Sequence, residues 1–383
     1  MNNQNLRNFP NSFKNLCDIL KPVATYGIPG DSAEIIDVGN DKFVNFFENE
    51  IIKSLVSKGG SSISFFEGNI GSGKSHVSKL IENKSLRHDF AYVWVDLKSM
   101  TQIAIYDNVV REIIQQISIK DNGKIIKSFP SILKRKSGFV NNNIDPGIYL
   151  PHKGCKSAIE YVLLNKISDE TGKFLLDQYL LGMWVSVTQF KQVKVMGVKN
   201  ALSTKNAEVF LKTIVNYLYF LRQKGLIIVF DIDTVFDNKV KTADVKKAAN
   251  ILRRLIDATA DHTILGCNII FTAPTGFLNF CSNHYPALGQ RIRPGHFVTI
   301  HHSWRAKRYE ISKIRTMDRN EIPVNYAEKI GSMMATYKGL DPKLINELNE
   351  YGKNIMQKNP GEGYIRPLIR GMTSIALNYY QDD

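Results

Sequence analysis

The stretch SFFEGNIGSGKSHVSKL, Ser64–Leu80, runs from an apolar segment through three glycines to a lysine and then into a helical pattern. Within it, Gly68-Asn69-Ile70-Gly71-Ser72-Gly73-Lys74-Ser75 fits the pattern G-x-x-x-x-G-K-[ST]. Glycine reaches backbone angles that side chains resist. Such a loop curls until its N–H groups point inward at anionic oxygens, and the helix behind it adds the positive end of its dipole. The spacing predicts a phosphate cradle between a buried strand and a helix, built from Gly68, Asn69, Ile70, Gly71, Ser72 and Gly73, with His76 in the first helical turn. Lys74 is placed to neutralise the β and γ phosphates of a nucleotide, and Ser75 to set a hydroxyl on Mg2+.

The sequence around this loop has the rhythm of an open α/β sheet. SISFFEG (Ser62–Gly68), FAYVWVDL (Phe90–Leu97), LIIVFDI (Leu226–Ile232), CNIIFTA (Cys267–Ala273) and FVTIHH (Phe297–His302) read as strands. Their apolar runs are nearly continuous, which predicts a parallel sheet covered on both faces. Helical patterns alternate with them; Phe210, Ile214, Tyr217, Leu218 and Leu221 mark one, with Gly225 read as its C′ residue. Between the second and third strands lie about 130 residues, where one crossover needs only about a dozen. YDNVVREIIQQI, AIEYVLLNKI and KFLLDQYLLGMW make this stretch mainly helical, with irregular basic pieces GKIIKSFPSILKRKSG and FKQVKVMGVKN. After Ser303 comes the basic RAKRYEISKIR, then an amphipathic helix marked by Tyr326, Ile330, Met333 and Tyr337. Asp341-Pro342 reads as a cap followed by proline at the first helical position, and Leu368, Met372 and Ile375 stripe a last helix. The expected organisation is a lead-in over 1–45, a nucleotide-binding core over 46–303 that contains a helical basic insertion at about 100–224, and a helical lid over 304–383.

A loop that handles a nucleoside triphosphate needs partners. Asp231 follows five apolar residues of LIIVFDID, so its carboxylate emerges at the carboxyl edge of the sheet, where a metal ligand is wanted. The next residue is Ile232, which neither accepts a proton nor aligns a water; Asp233, one step on, is the candidate for orienting water. Thr272 ends the strand expected between the first and third, within reach of a γ-phosphate or water. YPALGQRIRPG carries Arg291 and Arg293; Arg291 is the favoured finger toward a neighbouring copy, which presupposes a homo-oligomer. Arg366, three residues after Gly363 at a helix start, is placed to swing over the γ-phosphate.

The chain has 383 residues, 43% of them hydrophobic, enough for two or three domains. Fifty Lys and Arg against 36 Asp and Glu give a net charge of +14, which suits polyanionic partners such as DNA. The basic pieces at Lys134–Lys136, Lys191–Lys199 and Arg305–Arg315 are candidate contacts, with Phe129, Phe139, Phe190, Trp304 and Tyr309 as aromatic neighbours for stacking or for packing. The four cysteines are far apart, so no disulfide framework or zinc site is expected and a reducing cytoplasm is. No apolar window reaches about 20 residues and MNNQNLRNFPNSF lacks an apolar centre, so neither a membrane span nor a signal peptide is expected.

These residues are arranged as in the AAA+ division of P-loop ATPases. The sequence further resembles the ATP-binding proteins of the BREX phage-defence system, of the BrxD type. The likeness begins with YGIPGDSAEIIDVGNDKFVNFFENEI and continues through FFEGNIGSGKSHVSKLI, FAYVWVDL, the long insertion, LIIVFDIDTVF, ANILRRLIDA and YPALGQRI. It implies an AAA+ (ASCE-type) sheet with a helical lid, ATP with Mg2+, a prokaryotic defence setting, protein partners from that system and DNA. Gly68, Gly73, Lys74 and Ser75 match its Walker A pattern and Asp231 its Walker B. Val38 begins a V-G-x-[ED] box that in AAA+ proteins lies near the adenine. The chain departs in reading D-I-D where family members show D-E, and in carrying Asn40 where related boxes have Arg. Two functions stay open: an ATPase that couples turnover to DNA and partner assembly, and a nucleotide-gated scaffold that binds ATP with little or no hydrolysis and recruits a helicase, nuclease or methyltransferase. A small-molecule kinase suits the lid and the basic insertion less well.

Overall fold

A computed structural model of the protein describes residues 10–27, 32–97, 100–137, 149–221, 223–232, 241–294, 306–311, 317–359 and 362–380. The chain divides into two compact units. One comprises Phe47–Phe66 and Glu82–Tyr309; the other comprises Met1–Phe46, Glu67–Ile81 and Glu310–Asp383.

The first unit is built on a mixed sheet. Its strands are β1 Ser61–Glu67, β2 Ala91–Leu97, β3 Ser118–Asp121, β4 Lys124–Lys127, β5 Leu226–Ile232, β6 Cys267–Ala273, β7 Ile292–Pro294 and β8 Ala306–Glu310. They lie in the order β4-β3-β2-β5-β6-β1-β8-β7. β2, β5 and β6 are parallel neighbours, with Ala91 opposite Leu226 and Leu226 opposite Cys267. β1 follows the same direction, because its contacts with β6 climb together: Ser62 meets Asn268 and Phe65 stacks on Phe271. Every residue of β5 and β6 is buried, as continuous apolar runs require of strands covered on both faces. The rings of Phe65, Phe271 and Phe230 stack across β1, β6 and β5 at 5.1 and 4.9 Å. Burial of each ring contributes roughly 2–3 kcal/mol, and slipping any one strand by a residue would turn its ring to the wrong face.

The stretch between β2 and β5 is mainly helical, as expected, with helices Tyr106–Gln116, Phe129–Lys136, Lys153–Leu163, Glu170–Leu180 and Ala207–Phe220. It also contains a hairpin where the sequence pattern predicts an irregular basic piece. β3 and β4 pair antiparallel around Asn122 and Gly123, whose φ angles are +47° and +79°. Asn-Gly is the residue pair such a turn demands. The hairpin docks on β2 through Tyr92 opposite Ser118.

Two further readings are corrected. Gly225 does not end the helix Ala207–Phe220, whose cap is Leu221. It is glycine because a Cβ there would stand 2.7 Å from the Gly266 carbonyl and 2.5 Å from Val56. Residues 306–310 of the basic RAKRYEISKIR form β8, with Ala306 and Tyr309 buried. The intervening lysine and arginine hid that strand from a hydropathy pattern. The strand expected at Phe297–His302 lies outside the described residues.

Glu48 ties this unit together locally. Lys53 and Lys84 approach it at 2.6 Å and His88 at 2.7 Å. Burial alone would raise its carboxyl, but hydrogen bonds from Lys53, Lys84 and His88 outweigh it and lower the pKa to about 2. A depressed carboxyl stabilises the fold above its ordinary value of 4.5 and loses that effect as pH falls toward about 2. Glu48→Gln is therefore expected to cost about 1–2 kcal/mol at neutral pH after solvent screening. Denaturant melts across an acid series should show the difference from wild type vanishing through that window.

The second unit is helical. Helices Phe13–Tyr26, Glu321–Lys338, Pro342–Lys358 and Ile365–Tyr379 pack around Leu16, Leu20, Ile330, Leu348, Leu368 and Met372. The Asp341 side chain accepts from the Lys343 N–H at 2.8 Å with Pro342 at the helix start, as Asp-Pro predicts. The stripes on the two outer helices face inward: Tyr326, Ile330, Met333, Leu368 and Met372 are buried. Phe13 seats its ring against Tyr337 and Tyr380. The lead-in and the C-terminal helices, far apart in sequence, thus share one core. Among the described residues no helix is long and apolar enough to cross a membrane.

Candidate functional site

β1 ends at Glu67 and the chain turns at once. A Cβ on Gly68 would stand 2.4 Å from the Ser72 hydroxyl, so glycine leaves room for the loop to close on itself with the Ser72 side chain where it lies. Gly71 and Gly73 take φ of +79° and +100°, angles that glycine alone adopts without strain. The Ser72 N–H donates to the Asn69 carbonyl at 3.0 Å, and the Val77 N–H to the Gly73 carbonyl at 3.0 Å, which starts the helix Lys74–Arg87. Lys74 is only 5% exposed. Its ammonium folds over the loop and donates to the carbonyls of Gly68 at 2.8 Å and Asn69 at 3.2 Å. No acidic residue of the helix itself stands in its first turn. Ser75 follows, half-buried, and Asn69 and Ile70 form an exposed tip. The geometry is an inward-curled backbone with a buried cation beside it, a donor set that fits phosphate oxygens and offers them no competing acid in that turn.

The loop abuts the start of the last helix within the same unit. A Cβ on Gly71 would meet the Gly363 carbonyl at 3.0 Å, and one on Gly363 the Ile70 carbonyl at 3.2 Å. Arg366 is exposed on the first turn of that helix. Its stem lies over Gly27, where an added Cβ would stand 2.7 Å from Arg366 Cγ.

A buried polar cluster supports the helix start. His76 Nε2 lies 2.7 Å from Asp37 Oδ1, and the Asn40 amide donates to the same oxygen at 2.6 Å. Lys329 donates to the Asp37 backbone carbonyl. Burial pushes the Asp37 carboxyl up, but His76, Asn40 and Lys329 outweigh that and hold it below its ordinary value. Burial lowers Lys329, with Asp37 and Asp41 opposing. His76 is thus committed to Asp37, and Val38 is packed in the apolar core of the helical unit. Asp37 and Lys329 were not singled out from sequence. Asp37 sits one residue before the V-G-x-[ED] box, whereas Lys329 had no signal beyond its place on an amphipathic helix.

In the sheet unit, Asp231 stands in register with Thr272 of β6 and Asp96 of β2. β6 lies between β1 and β5. The Thr272 hydroxyl donates to Asp231 Oδ1, and both residues are buried. Ile232 packs fully in the apolar core with the Phe230 and Phe271 rings. Alternation then turns Asp231 and Thr272 to the opposite face. Asp233 lies outside the described residues. Arg291 is engaged within its own chain: Nε donates to Asp257 Oδ1 at 2.7 Å and a terminal nitrogen to the Ala287 carbonyl at 2.7 Å. Arg253 holds the other Asp257 oxygen at 2.9 Å.

Strand, curled glycine loop, buried lysine and helix start together form a donor set that fits the phosphates of a nucleotide. The chain matches BREX system ATP-binding protein BrxC/D over residues 17–135 and 159–365, and it belongs to that family. No curated protein and no solved structure gives a significant match.

Proposed function

We propose that this chain is an AAA+ P-loop ATPase of a phage-defence system, acting in the cytoplasm, and that its ATP state governs assembly with defence partners and with DNA. The observation that carries the reading is the loop itself: glycines at positions where a Cβ would collide or strain the backbone, closed under the buried Lys74 ammonium. Family membership supports ATP as the nucleotide.

In this reading the N–H groups of Gly68–Gly73 bind and orient the phosphates, and Lys74 neutralises the β and γ oxygens. Mg2+, when bound, supplies charge neutralisation at those oxygens. Ser75 and Asp231 would hold it. Thr272, hydrogen-bonded to Asp231, fixes that carboxylate and is the residue assigned to the γ-phosphate or water. Asp233 orients water. Val38 and His76 border the base. Arg366 leaves Gly27 to reach over the nucleotide, and Arg291 serves a neighbouring copy in a homo-oligomer once it parts from Asp257. The order β5-β6-β1 supports the placing of Thr272.

The second reading, a scaffold that binds ATP and scarcely turns it over, is favoured by Ile232. That side chain is packed in the core, so the position after Asp231 contributes no group to a water. Calorimetric titration with a nonhydrolysable Mg·ATP analogue tests what both share; lack of binding at saturating ligand refutes both. Phosphate release with and without duplex DNA separates them. Turnover that rises with DNA supports the ATPase, and tight binding with no release supports the scaffold.

A further inference from the structure

A second donor-rich cleft lies in the sheet unit, built from residues that the glycine loop does not use. Tyr106, Lys205, Glu208, Lys247, Asn250 and Arg254 line it. Lys205 and Lys247 are exposed, and neither takes part in an ion pair among the described residues. Glu208 is the single acid of the lining, and two cations already bind it: Lys212 at 2.8 Å and Arg254 at 2.5 Å. The Asn250 oxygen is occupied by the Arg253 guanidinium at 3.2 Å and the Tyr285 hydroxyl at 3.3 Å, which leaves its NH2 to donate. Tyr106 is 6% exposed, and its hydroxyl has no hydrogen-bond partner among the described residues. Burial, then the nearby Glu208, pushes the Tyr106 phenol far above its ordinary pKa, so it remains an O–H donor at neutral pH. The helix Ala207–Phe220 starts at this cleft with no side chain capping it, because the Asn206 oxygen is taken by the Ser203 N–H at 2.8 Å.

Apart from the Thr204 oxygen, whose proton goes to Asp107 Oδ1, the unspent polar side chains of this cleft among the described residues are donors or cations. A carboxylate ligand has two acceptor oxygens, fewer than the donors on offer; a free phosphate or phosphate monoester has three or four and more charge, and a nucleic-acid backbone repeats two oxygens and one charge at each successive phosphate. We propose that the cleft between the helices Ala207–Phe220 and Thr242–Ala260 is a phosphate-binding site, separate from the glycine loop, with Tyr106 at its floor and Lys205 and Lys247 at its rim. Its ligand is a phosphate group, carried either by a nucleic-acid backbone or by a free small anion. The surrounding chain favours polyanions: from Gln178 to Ala207 there are four lysines and no acidic residue.

The test uses the full chain, the Lys205→Ala/Lys247→Ala double variant and the Tyr106→Phe variant, which keeps the ring and removes only the hydroxyl. Fluorescence anisotropy follows labelled single- and double-stranded oligonucleotides across a salt series. Calorimetry follows inorganic phosphate and pyrophosphate. If the source is a nucleic-acid backbone, the double variant binds oligonucleotide about 10-fold more weakly, with a salt slope shallower by about two. Tyr106→Phe then loses about 3-fold with an unchanged slope, since the lost donor is neutral. If the source is a free anion, oligonucleotide affinity holds and the same losses fall on inorganic phosphate or pyrophosphate. Wild-type affinity for every probe in both variants overturns the proposal, as does a wild-type protein that binds none of them. ATP affinity is measured in parallel and is expected to stay at the wild-type value, so failure here is distinct from failure of the ATP reading.

Discussion

Lys74→Ala is expected to abolish measurable ATP binding, with a loss of about 100-fold or more in affinity. The magnitude follows from what the ammonium does in place. It is buried, it sits over the loop, and it donates to the Gly68 and Asn69 carbonyls. A charge-assisted contact of this kind to a phosphate is worth ~3 kcal/mol, which is about 100-fold. The variant also leaves the two carbonyls without their cation, but both belong to a loop with an exposed tip, so the helical unit stays folded. Calorimetry with a nonhydrolysable analogue reads the affinity, and circular dichroism checks the fold. Retained affinity in Lys74→Ala would sink the assignment of the loop to phosphate.

The Asp231→Asn variant is expected to bind nucleotide in the absence of Mg2+ as wild type does and to lose any Mg2+-dependent turnover by about 100-fold. Asparagine keeps an oxygen for the Thr272 hydroxyl, so the strand end remains hydrogen-bonded and the change removes charge alone. Losing a metal-directed carboxylate withdraws several kcal/mol from a charge-building transition state, and ~3 kcal/mol suffices for that factor. The readouts are phosphate release over a Mg2+ titration and analogue binding in chelator. A wild-type metal dependence in Asp231→Asn would remove that residue from the site. If the wild-type protein has no turnover, the metal dependence of analogue affinity takes its place.

Much of the fold was legible because its signals are local. The apolar runs that became β5 and β6 have the bounds the sequence suggested, and the glycine spacing dictated the curl of the loop. What escaped had charge written over its pattern or a partner far away in sequence. β8 reads as a basic segment because Lys307 and Arg308 interrupt Ala306 and Tyr309. The β3–β4 hairpin was signalled by Asn122-Gly123 and was obscured by the lysines on both sides. Lys329 reaches Asp37 from 292 positions away, a contact no spacing rule encodes. Arg291 reads as a finger in the sequence, and its engagement with Asp257, 34 positions earlier on the helix Thr242–Ala260, is one no local pattern encodes.

The union of lead-in, glycine loop and C-terminal helices in one compact unit has a consequence for synthesis. A ribosome delivers the loop early, but Leu348, Leu368 and Met372 of that unit's core emerge hundreds of codons later. Domains form as their residues become available during translation. The sheet unit, whose last strand precedes those helices, is therefore complete first, and nascent chains halted before residue 317 carry the glycine loop without the helical core of its own unit.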